Sequence, residues 1–267
     1  MVDTHVHLNG RDLGTPDTLP GVLERAATAG VETFIVVGYD AASSERAVTL
    51  AESGDARIFA TVGVHPHDAQ HYSDAVESRL RELADRPRVV AIGEIGFDFY
   101  RDLSPRDAQE TAFRAQIMLA RETGLPIVIH CREAYPETVA LLEAEARGVP
   151  VILHCFAGDE RDAERAFTNG WYIGVGGTVT YKKNEVLRGI VKSAPQDLIL
   201  LETDAPYLSP EPFRSKFPNE PARVALVAQK IAEVRGTSRA EVVQYTTQNA
   251  LAAFPRLPKS PELLSDC

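Results

Sequence analysis

The chain has 267 residues, of which 44% are hydrophobic and 25% charged, and its formal net charge is −10. This composition is ordinary for a globular protein and excludes disordered and fibrous classes. The acidic balance argues against a surface that holds long nucleic acid by bulk attraction of its phosphates, although bound divalent cations can still attract a phosphate-bearing substrate.

The cellular location is indicated by the ends of the chain and by its cysteines. No apolar run approaches the ~18 residues of a membrane helix. The N-terminus begins with an acid and a histidine rather than a basic, apolar signal. Cys131, Cys155 and Cys267 form an odd set with no close pair, which is typical of reduced thiols. We therefore expect a cytoplasmic protein with no membrane contact and no obligate protein partner.

Eight aliphatic or β-branched runs alternate with segments of helical period along the whole chain. They predict strands at about 1–6, 33–38, 57–64, 89–95, 126–130, 150–155, 171–176 and 198–203. Such alternation is typical of βα units and a parallel sheet. Since the length is close to the ~250 residues of a (β/α)₈ domain, the sequence predicts an α/β fold, a TIM (β/α)8 barrel. We expect one barrel domain at 1–254 and a loosely held tail at 255–267.

Five of the predicted strands end on imidazoles or carboxylates, which are His5, His7, Glu94, His130, His154 and Asp204. In a barrel these strand ends converge at one rim, and the six side chains together would form a ligand set for two divalent metal ions. Side chains alternate faces along a strand, so Asp3 lies on the side of His5, and Glu202 on the side of Asp204. We expect Asp3 and Glu202 to lie behind the ligands and to orient metal-bound imidazoles.

A simpler interpretation competes at each of these positions. A single buried histidine at a strand end is more often a hydrogen-bonded core residue than a ligand, and only the coincidence of five such ends favours metal. The second and seventh predicted strands end on glycines, namely Gly38, Gly174, Gly176 and Gly177. These small residues either leave space for a substrate or serve turns, and both interpretations remain open.

Six short motifs occur in order between residue 1 and about residue 250: DTHVHL at 3–8, GVHP at 63–66, GEIGFDFY at 93–100, PIVIHCR at 126–132, HCF at 154–156 and ETDAPYL at 202–208. Together they resemble the TatD family of metal-dependent deoxyribonucleases. The resemblance implies a barrel of the metal-dependent hydrolase type. It also implies hydrolysis of phosphodiesters, as a 3′-5′ exodeoxyribonuclease connected with DNA repair.

The resemblance also implies how the ligands divide between the two ions. One ion would be held by His5, His7, Glu94 and Asp204, and the other by Glu94, His130 and His154. A bridging Glu94 would keep the ions ~3.5 to 4 Å apart. A hydroxide activated by both ions would attack phosphorus, with Asp204 as proton acceptor and Glu94 as the second catalytic residue. Manganese or magnesium would support activity, and zinc or nickel could also bind.

The expected substrate is nucleic acid, with single-stranded DNA ends reaching the rim. By the same resemblance, His65 and Arg132 would bind phosphate, and Arg214 is a weaker member of that set. Without the family likeness, an ion pair of Arg132 with a neighbouring glutamate would be preferred. The aromatic residues Phe97, Phe99, Tyr100 and Tyr207 either stack on bases or pack the rim.

Two other functions use the same ligands. A metal-activated hydroxide also attacks esters, lactones and amides, including the aminoacyl ester of a tRNA, and one barrel can host all these chemistries. A non-catalytic metal-binding or partner-docking protein is the third possibility. It would need saturated coordination with no exchangeable water.

Overall fold

The computed structural model describes residues 1–15 and 18–258, and its centre is one sheet of eight parallel strands. In chain order these are β1 (Val2–Val6), β2 (Thr33–Val36), β3 (Ile58–Val62), β4 (Val89–Asp98), β5 (Ile127–Arg132), β6 (Val151–Leu153), β7 (Tyr172–Val175) and β8 (Ile199–Leu201). Each strand pairs in parallel with the next. The predicted TIM (β/α)8 barrel is confirmed.

Helices connect the strands and cover the outside of the sheet. Within the described residues they are α1 (Leu19–Thr28), α2 (Ala41–Ala51), α3 (Asp74–Ala84), α4 (Arg106–Thr123), α5 (Tyr135–Glu145), α6 (Glu160–Thr168), α7 (Glu185–Ser193), α8 (Val224–Arg235) and α9 (Arg239–Ala253), with 3-10 turns at Pro66–His71, Gly177–Thr180, Gln196–Leu198 and Pro221–Arg223. None of these helices combines the length and the hydropathy that crossing a bilayer requires.

The inside of the barrel is apolar at one end and polar at the other. A buried cluster joins residues of several strands, among them Phe59, Val128 and Ile152, with Phe254 and Leu257 after α9. These two residues close the N-terminal end of the barrel. Because side chains alternate along a strand, the residues two positions after the apolar ones face the same interior. On β5 and β6 those residues are the predicted ligands, so the polar layer lies at the C-terminal rim.

The start of the predicted tail packs against the barrel. Leu257 is buried, and the Arg256 guanidinium donates to the carbonyl oxygens of Ala84 and Val89 at 2.8 and 2.9 Å. Arg256 and Leu257 are therefore held against the barrel. Residues 259–267, including Cys267, lie outside the described residues, and the domain boundary at 254 stays a prediction.

The barrel closes between β1 and β8 with few backbone contacts. Val6 and Ala205 form an isolated parallel bridge, and the Asp204 amide donates to the His5 carbonyl oxygen at 2.9 Å. The carboxylate of Asp3 adds two bonds across this seam. It accepts from the Thr203 amide at 2.9 Å and from the Thr203 hydroxyl at 2.6 Å. At this seam, hydrogen bonds to a buried side chain therefore replace part of the backbone pairing that joins the other strands.

The same carboxylate makes the stability of the seam dependent on pH. Burial raises the pKa of Asp3 from 3.8 to about 8, against the bonds from Thr203. Folded protein then keeps this proton to higher pH than the unfolded chain, so its contribution to stability is complete below pH 3.8 and is lost as pH rises through about 8. Asp3→Asn cannot ionise. In metal-free protein, denaturant titrations at several pH values should show the variant gaining stability relative to the parent as pH rises.

Asp85→Asn is the control for this measurement, since Asp85 is exposed at the end of α3. Its stability difference from the parent should stay flat over the same pH range. A flat difference for Asp3→Asn as well would contradict the role given to burial.

Candidate metal centre

The structure brings all six predicted ligands together at the C-terminal rim. The strands place them there by their register, because Gly96 and Phe97 of β4 pair with His130 and Cys131 of β5, and His154 follows β6 directly. Histidine and carboxylate donors lie close together in three groups, which are His5 with His154 and Glu202, His5 with His7 and Asp204, and His65 with Glu94 and His130.

Glu94 stands at the middle of this cluster, and its two oxygens face different partners. Oε2 lies 3.4 Å from Nε2 of His5. Oε1 lies 2.8 Å from Nδ1 of His130 and 3.3 Å from Nε2 of His154. The carboxylate therefore separates a group on β1 from a group on β5 and β6, as a bridge between two ions requires.

Asp204 completes the group on the β1 side. Its Oδ1 lies 3.7 Å from Nε2 of His5 and 3.4 Å from Nε2 of His7. Ligand atoms of one ion at zinc-like distances lie about 3 to 3.7 Å from each other. The separations around Asp204 and Glu94 have this size, so these donors suit a shared cation.

The buried carboxylates and imidazoles of the cluster shift each other's pKa values. Burial alone would raise the pKa of Glu94, but the imidazoles of His154, His65 and His5 hold it well below its usual range. Burial would lower the pKa of His154, but Glu202 and Glu94 raise it well above its usual range. Negative charge on both sides of His154 favours a positive charge there, and a metal cation satisfies this demand as a proton does.

Several buried polar atoms fit a cation. Among the described residues, both ring nitrogens of His5 and Nδ1 of His7 have no hydrogen-bond partner. An unsatisfied buried polar atom costs ~1 to 3 kcal/mol. Burial, with His154 adjacent, lowers the pKa of His5, so this ring is neutral and offers a lone pair. The donor set therefore fits divalent metal.

The two residues expected behind the ligands differ in what they contact. Glu202 lies with Oε1 3.2 Å from Nδ1 of His154 and accepts from the Cys155 amide at 2.7 Å. It can thus hold the ring so that Nε2 faces Glu94. Asp3 also lies behind the ligands, but its hydrogen-bond partners are Thr203 and the His5 amide rather than an imidazole. Asp3 secures the barrel seam instead.

His65 presents a donor to the cluster and not a lone pair. Its Nδ1 accepts a hydrogen bond from the His67 amide at 3.1 Å, and burial, with His130 adjacent, lowers its pKa well below the usual range. A neutral ring with Nδ1 occupied in this way carries its hydrogen on Nε2. That nitrogen lies 3.6 Å from Oε1 of Glu94. His65 therefore suits an anionic oxygen of a substrate better than a metal ion.

The predicted phosphate-binding arginines lie in different places. A cavity of about 880 Å³ opens above the cluster, and Arg132 lines it together with His65 and Tyr207. The guanidinium of Arg132 lies 3.9 Å above the ring of Tyr100. Arg214 does not line this cavity and is stacked on Tyr181 at 4.1 Å. Only Arg132 of the two faces the space where a substrate would bind.

The aromatic residues of the rim divide in the same way. Tyr100 and Tyr207 are 54% and 53% exposed, so their rings are available to bases. Phe97 is buried and packs against Phe113 at a centroid distance of 5.2 Å, and Phe99 lies partly buried against the same core. The stacking interpretation is therefore kept for the two tyrosines only.

Three of the four glycines at the ends of β2 and β7, namely Gly38, Gly174 and Gly177, have protein atoms in the space where a Cβ would lie, whereas at Gly176 the nearest atoms lie 3.6 Å away. A Cβ at Gly174 would lie 2.1 Å from Oε2 of Glu202, and one at Gly38 would lie 2.3 Å from Oγ of Ser44. Gly177 meets the Leu208 carbonyl oxygen at 2.1 Å in the same way. The space is filled by protein, and at Gly174 it is filled by the carboxylate that contacts His154.

Sequence reasoning missed Asp98 and His67. Asp98 ends β4 and is fully buried, with Oδ2 3.1 Å from Nε2 of His130 and 2.8 Å from Nε2 of His67. Burial would raise the pKa of Asp98, but hydrogen bonds from His130 and from the Arg101 amide lower it. Its position four residues after Glu94 on a ten-residue strand was the available signal, since residues two or four apart on a strand share a face.

Eight parallel strands with clustered imidazoles and carboxylates at their C-terminal ends define a metal-dependent hydrolase barrel. Known proteins agree with this class. The sequence profile of the family described as TatD related DNase matches residues 2–255. The protein named uncharacterized metal-dependent hydrolase YabD from Bacillus subtilis is 41% identical over 255 residues, which cover 95% of this chain and 98% of that protein.

Two further comparisons extend the match to a named nuclease and to a solved structure. The 3′-5′ ssDNA/RNA exonuclease TatD of Pantoea vagans is 39% identical, with 87% of this chain and 92% of that protein covered. The crystal structure of YJJV, a TatD homolog from Escherichia coli K12, superposes with a TM-score of 0.89 at 30% identity, with 97% and 98% of the two chains covered. The chain belongs to the TatD family, and it is an enzyme of the metal-dependent hydrolase class.

The close approach at Gly174 predicts the effect of one added methyl group. Gly174→Ala should displace Glu202 from His154, because the new Cβ would lie 2.1 Å from Oε2. Loss of a carboxylate that orients a metal-binding imidazole lowers metal affinity about 10- to 100-fold. Calorimetric titration of metal-free protein with zinc would measure this change.

The matched control is Gly189→Ala on α7, where an added Cβ meets nothing within 4 Å. This variant should bind zinc as the parent does. Parental zinc affinity in Gly174→Ala would contradict the importance of the Glu202 position.

Proposed function

We propose that this hydrolase removes nucleotides from the 3′ end of single-stranded DNA or RNA, using two divalent metal ions at the rim. The activity for which the Pantoea vagans relative is named supports this choice of substrate. Because the net charge of −10 repels nucleic acid, approach of this substrate would depend on the bound divalent cations. The alternatives with an ester, lactone or amide substrate have no comparable support.

The observation that carries the proposal is the division of contacts at Glu94, with Oε2 toward His5 and Oε1 toward His130 and His154. We assign His5, His7, Glu94 and Asp204 to one ion, and Glu94, His130 and His154 to the other. When bound, such a pair of ions lowers the pKa of water and stabilises the oxygens of an in-line displacement at phosphorus.

Asp204 is the residue best placed to accept the proton of the attacking water. Its contacts to His5 and His7 both use Oδ1, whereas both oxygens of Glu94 face imidazoles. The Asp204 side chain is also 15% exposed, compared with 6% for Glu94, so it can reach a water molecule in the cavity. A general base must lie within hydrogen-bond reach of the proton that it removes.

The substrate would be held by His65, Arg132 and the exposed tyrosines. The Nε2 hydrogen of His65 suits a phosphate oxygen beside Glu94. The planar guanidinium of Arg132 offers paired donors to a phosphate, and its stacking on Tyr100 orients it beforehand. Tyr207, which lines the cavity, would stack on an unpaired base there, and Tyr100 would offer a base only the ring face opposite Arg132. Arg214 lies outside the cavity lining and could contact only more distant phosphates.

The mixed set of imidazoles and carboxylates does not select one metal. Imidazoles suit zinc, manganese and nickel, while carboxylates and a phosphate substrate suit manganese and magnesium. We propose that manganese or magnesium supports cleavage and that zinc or nickel can occupy the same ligands.

Cleavage of labelled oligonucleotides tests the proposed reaction. Single-stranded DNA labelled at either end should shorten from its 3′ end with manganese and remain intact with chelator. Asp204→Asn should lower kcat about 10²- to 10⁴-fold, because the proton acceptor is lost. His130→Ala should lower activity and the amount of bound metal together.

His71→Ala is the control, because His71 is exposed and lies outside the cluster. It should cleave at the parental rate. Parental cleavage by Asp204→Asn and His130→Ala would refute the site. Turnover of an aminoacyl-tRNA or a lactone, with no cleavage of DNA or RNA, would refute the substrate.

Removal of Arg132 should weaken binding of the nucleic acid chain more than the chemical step. We expect Arg132→Ala to raise KM for single-stranded DNA to a similar extent whatever the DNA sequence. The salt dependence of binding should fall by about the contribution of one phosphate contact. Cleavage rates and fluorescence anisotropy at several salt concentrations measure the two effects. The matched control, Arg121→Ala, removes an equal charge from an exposed position of α4 and should change neither quantity. Equal behaviour of the two variants would remove Arg132 from the substrate site.

A further inference from the structure

Asp98 has four hydrogen-bond donors around one buried carboxylate. Its Oδ1 accepts from the amides of Tyr100 and Arg101 at 3.0 and 2.7 Å. Its Oδ2 lies 3.1 Å from Nε2 of His130 and 2.8 Å from Nε2 of His67. The side chain is buried, so the donors come from the protein and not from bulk solvent.

This arrangement fixes the hydrogen of one predicted ligand. An ionised carboxylate accepts hydrogen bonds and donates none, so the Nε2 atom of His130 must carry the hydrogen that points at Oδ2. Without a cation, Nδ1 also faces a carboxylate, since it lies 2.8 Å from Oε1 of Glu94. A cation bound to Glu94 would take the place of the hydrogen between these two atoms, so the lone pair of Nδ1 would face the ion while Nε2 keeps its hydrogen for Asp98.

We propose that Asp98 is a positioning residue that presents Nδ1 of His130 to a metal ion and connects this ligand to the rim of the cavity. The proposal rests on the assignment of His130 as a ligand under the proposed function. Asp98 makes this connection because its other oxygen holds the amides of Tyr100 and Arg101, next to the stacked pair of Tyr100 and Arg132. The same carboxylate thereby fixes a metal ligand and the segment that would meet the substrate.

A different role, as a ligand of a third ion, is less consistent with the geometry. Three groups of clustered donors occur among the described residues, and none of them includes Asp98 or His67. Nε2 of His130 cannot donate to Asp98 and bind a cation at the same time. His67 is 30% exposed and fills the second acceptor position of Oδ2, so it acts as a donor to Asp98.

Asp98→Asn tests the proposal, because the amide keeps the shape of the side chain and replaces one hydrogen-bond acceptor, Oδ2, by a donor. The amide oxygen can still accept from Tyr100 and Arg101. The amide NH₂ would then face His130 and donate to Nε2, so a neutral His130 would carry its hydrogen on Nδ1. We expect the affinity for one of two zinc ions to fall about 10- to 100-fold in calorimetric titration, and the affinity for the other to stay.

A second measurement needs no variant of Asp98. In zinc-loaded parent protein, two-dimensional ¹H–¹⁵N spectra of the imidazoles should contain a slowly exchanging Nε2 hydrogen of His130, assigned by its absence in His130→Ala. A His130 ring that carries its hydrogen on Nδ1 in this spectrum would overturn the proposal even if Asp98→Asn failed to fold.

His67→Ala is the matched control, since it removes the second donor to Oδ2 and leaves the bond to His130. It should bind two zinc ions with parental affinities and keep the Nε2 signal. Parental affinities in Asp98→Asn, or a third equivalent of tightly bound zinc that His67→Ala abolishes, would refute the role of Asp98. Parental zinc binding by His130→Ala would instead refute the ligand assignment of the proposed function, so the two failures are distinguishable.

Discussion

The buried carboxylate of Glu94, with imidazoles facing both of its oxygens, is the interaction on which the rest of the site depends. An isolated charge in the interior costs several kcal/mol unless opposite charge or donors compensate it. Here the compensation comes from four histidines, which are His5 on β1, His65 after β3, His130 on β5 and His154 directly after β6. The eight-stranded register is therefore required for the chemistry, because only convergence at one rim brings these groups within 4 Å of Glu94.

The sequence was sufficient to predict where the barrel is and which side chains gather at its rim. All eight strands lie within the predicted segments to within a few residues, because aliphatic runs in parallel strands are buried on both faces and stand out from the helical segments. The largest extension is at the end of β4, which continues to Asp98 because it pairs with β5 as far as Arg132. The six predicted ligands lie together because strand ends of a parallel barrel must meet.

Contacts between distant side chains could not be predicted in the same way. Nothing in the sequence states that Asp3 would bind Thr203, 200 positions away, rather than an imidazole. Gly174 of β7 was ambiguous for a related reason, since a Cβ there would occupy the space of the Glu202 carboxylate. The role of Asp98 could not be predicted either, because it depends on which ring nitrogen of His130 the carboxylate faces. The alternation of residues along a strand indicates which face of the sheet a side chain occupies. Its contacts on that face also depend on its rotamer and on the shapes of the neighbouring side chains.

The sparse backbone pairing between β1 and β8 has a thermodynamic consequence. His5 and His7 stand on one side of this seam and Asp204 on the other, so a cation held by all three would act as a cross-link between the first and last strands of the ring. Ions that bind only the closed ring stabilise it by mass action. Integrity of the circular architecture and occupancy of the catalytic centre would then be coupled, and metal supply would influence the lifetime of the folded enzyme as well as its turnover.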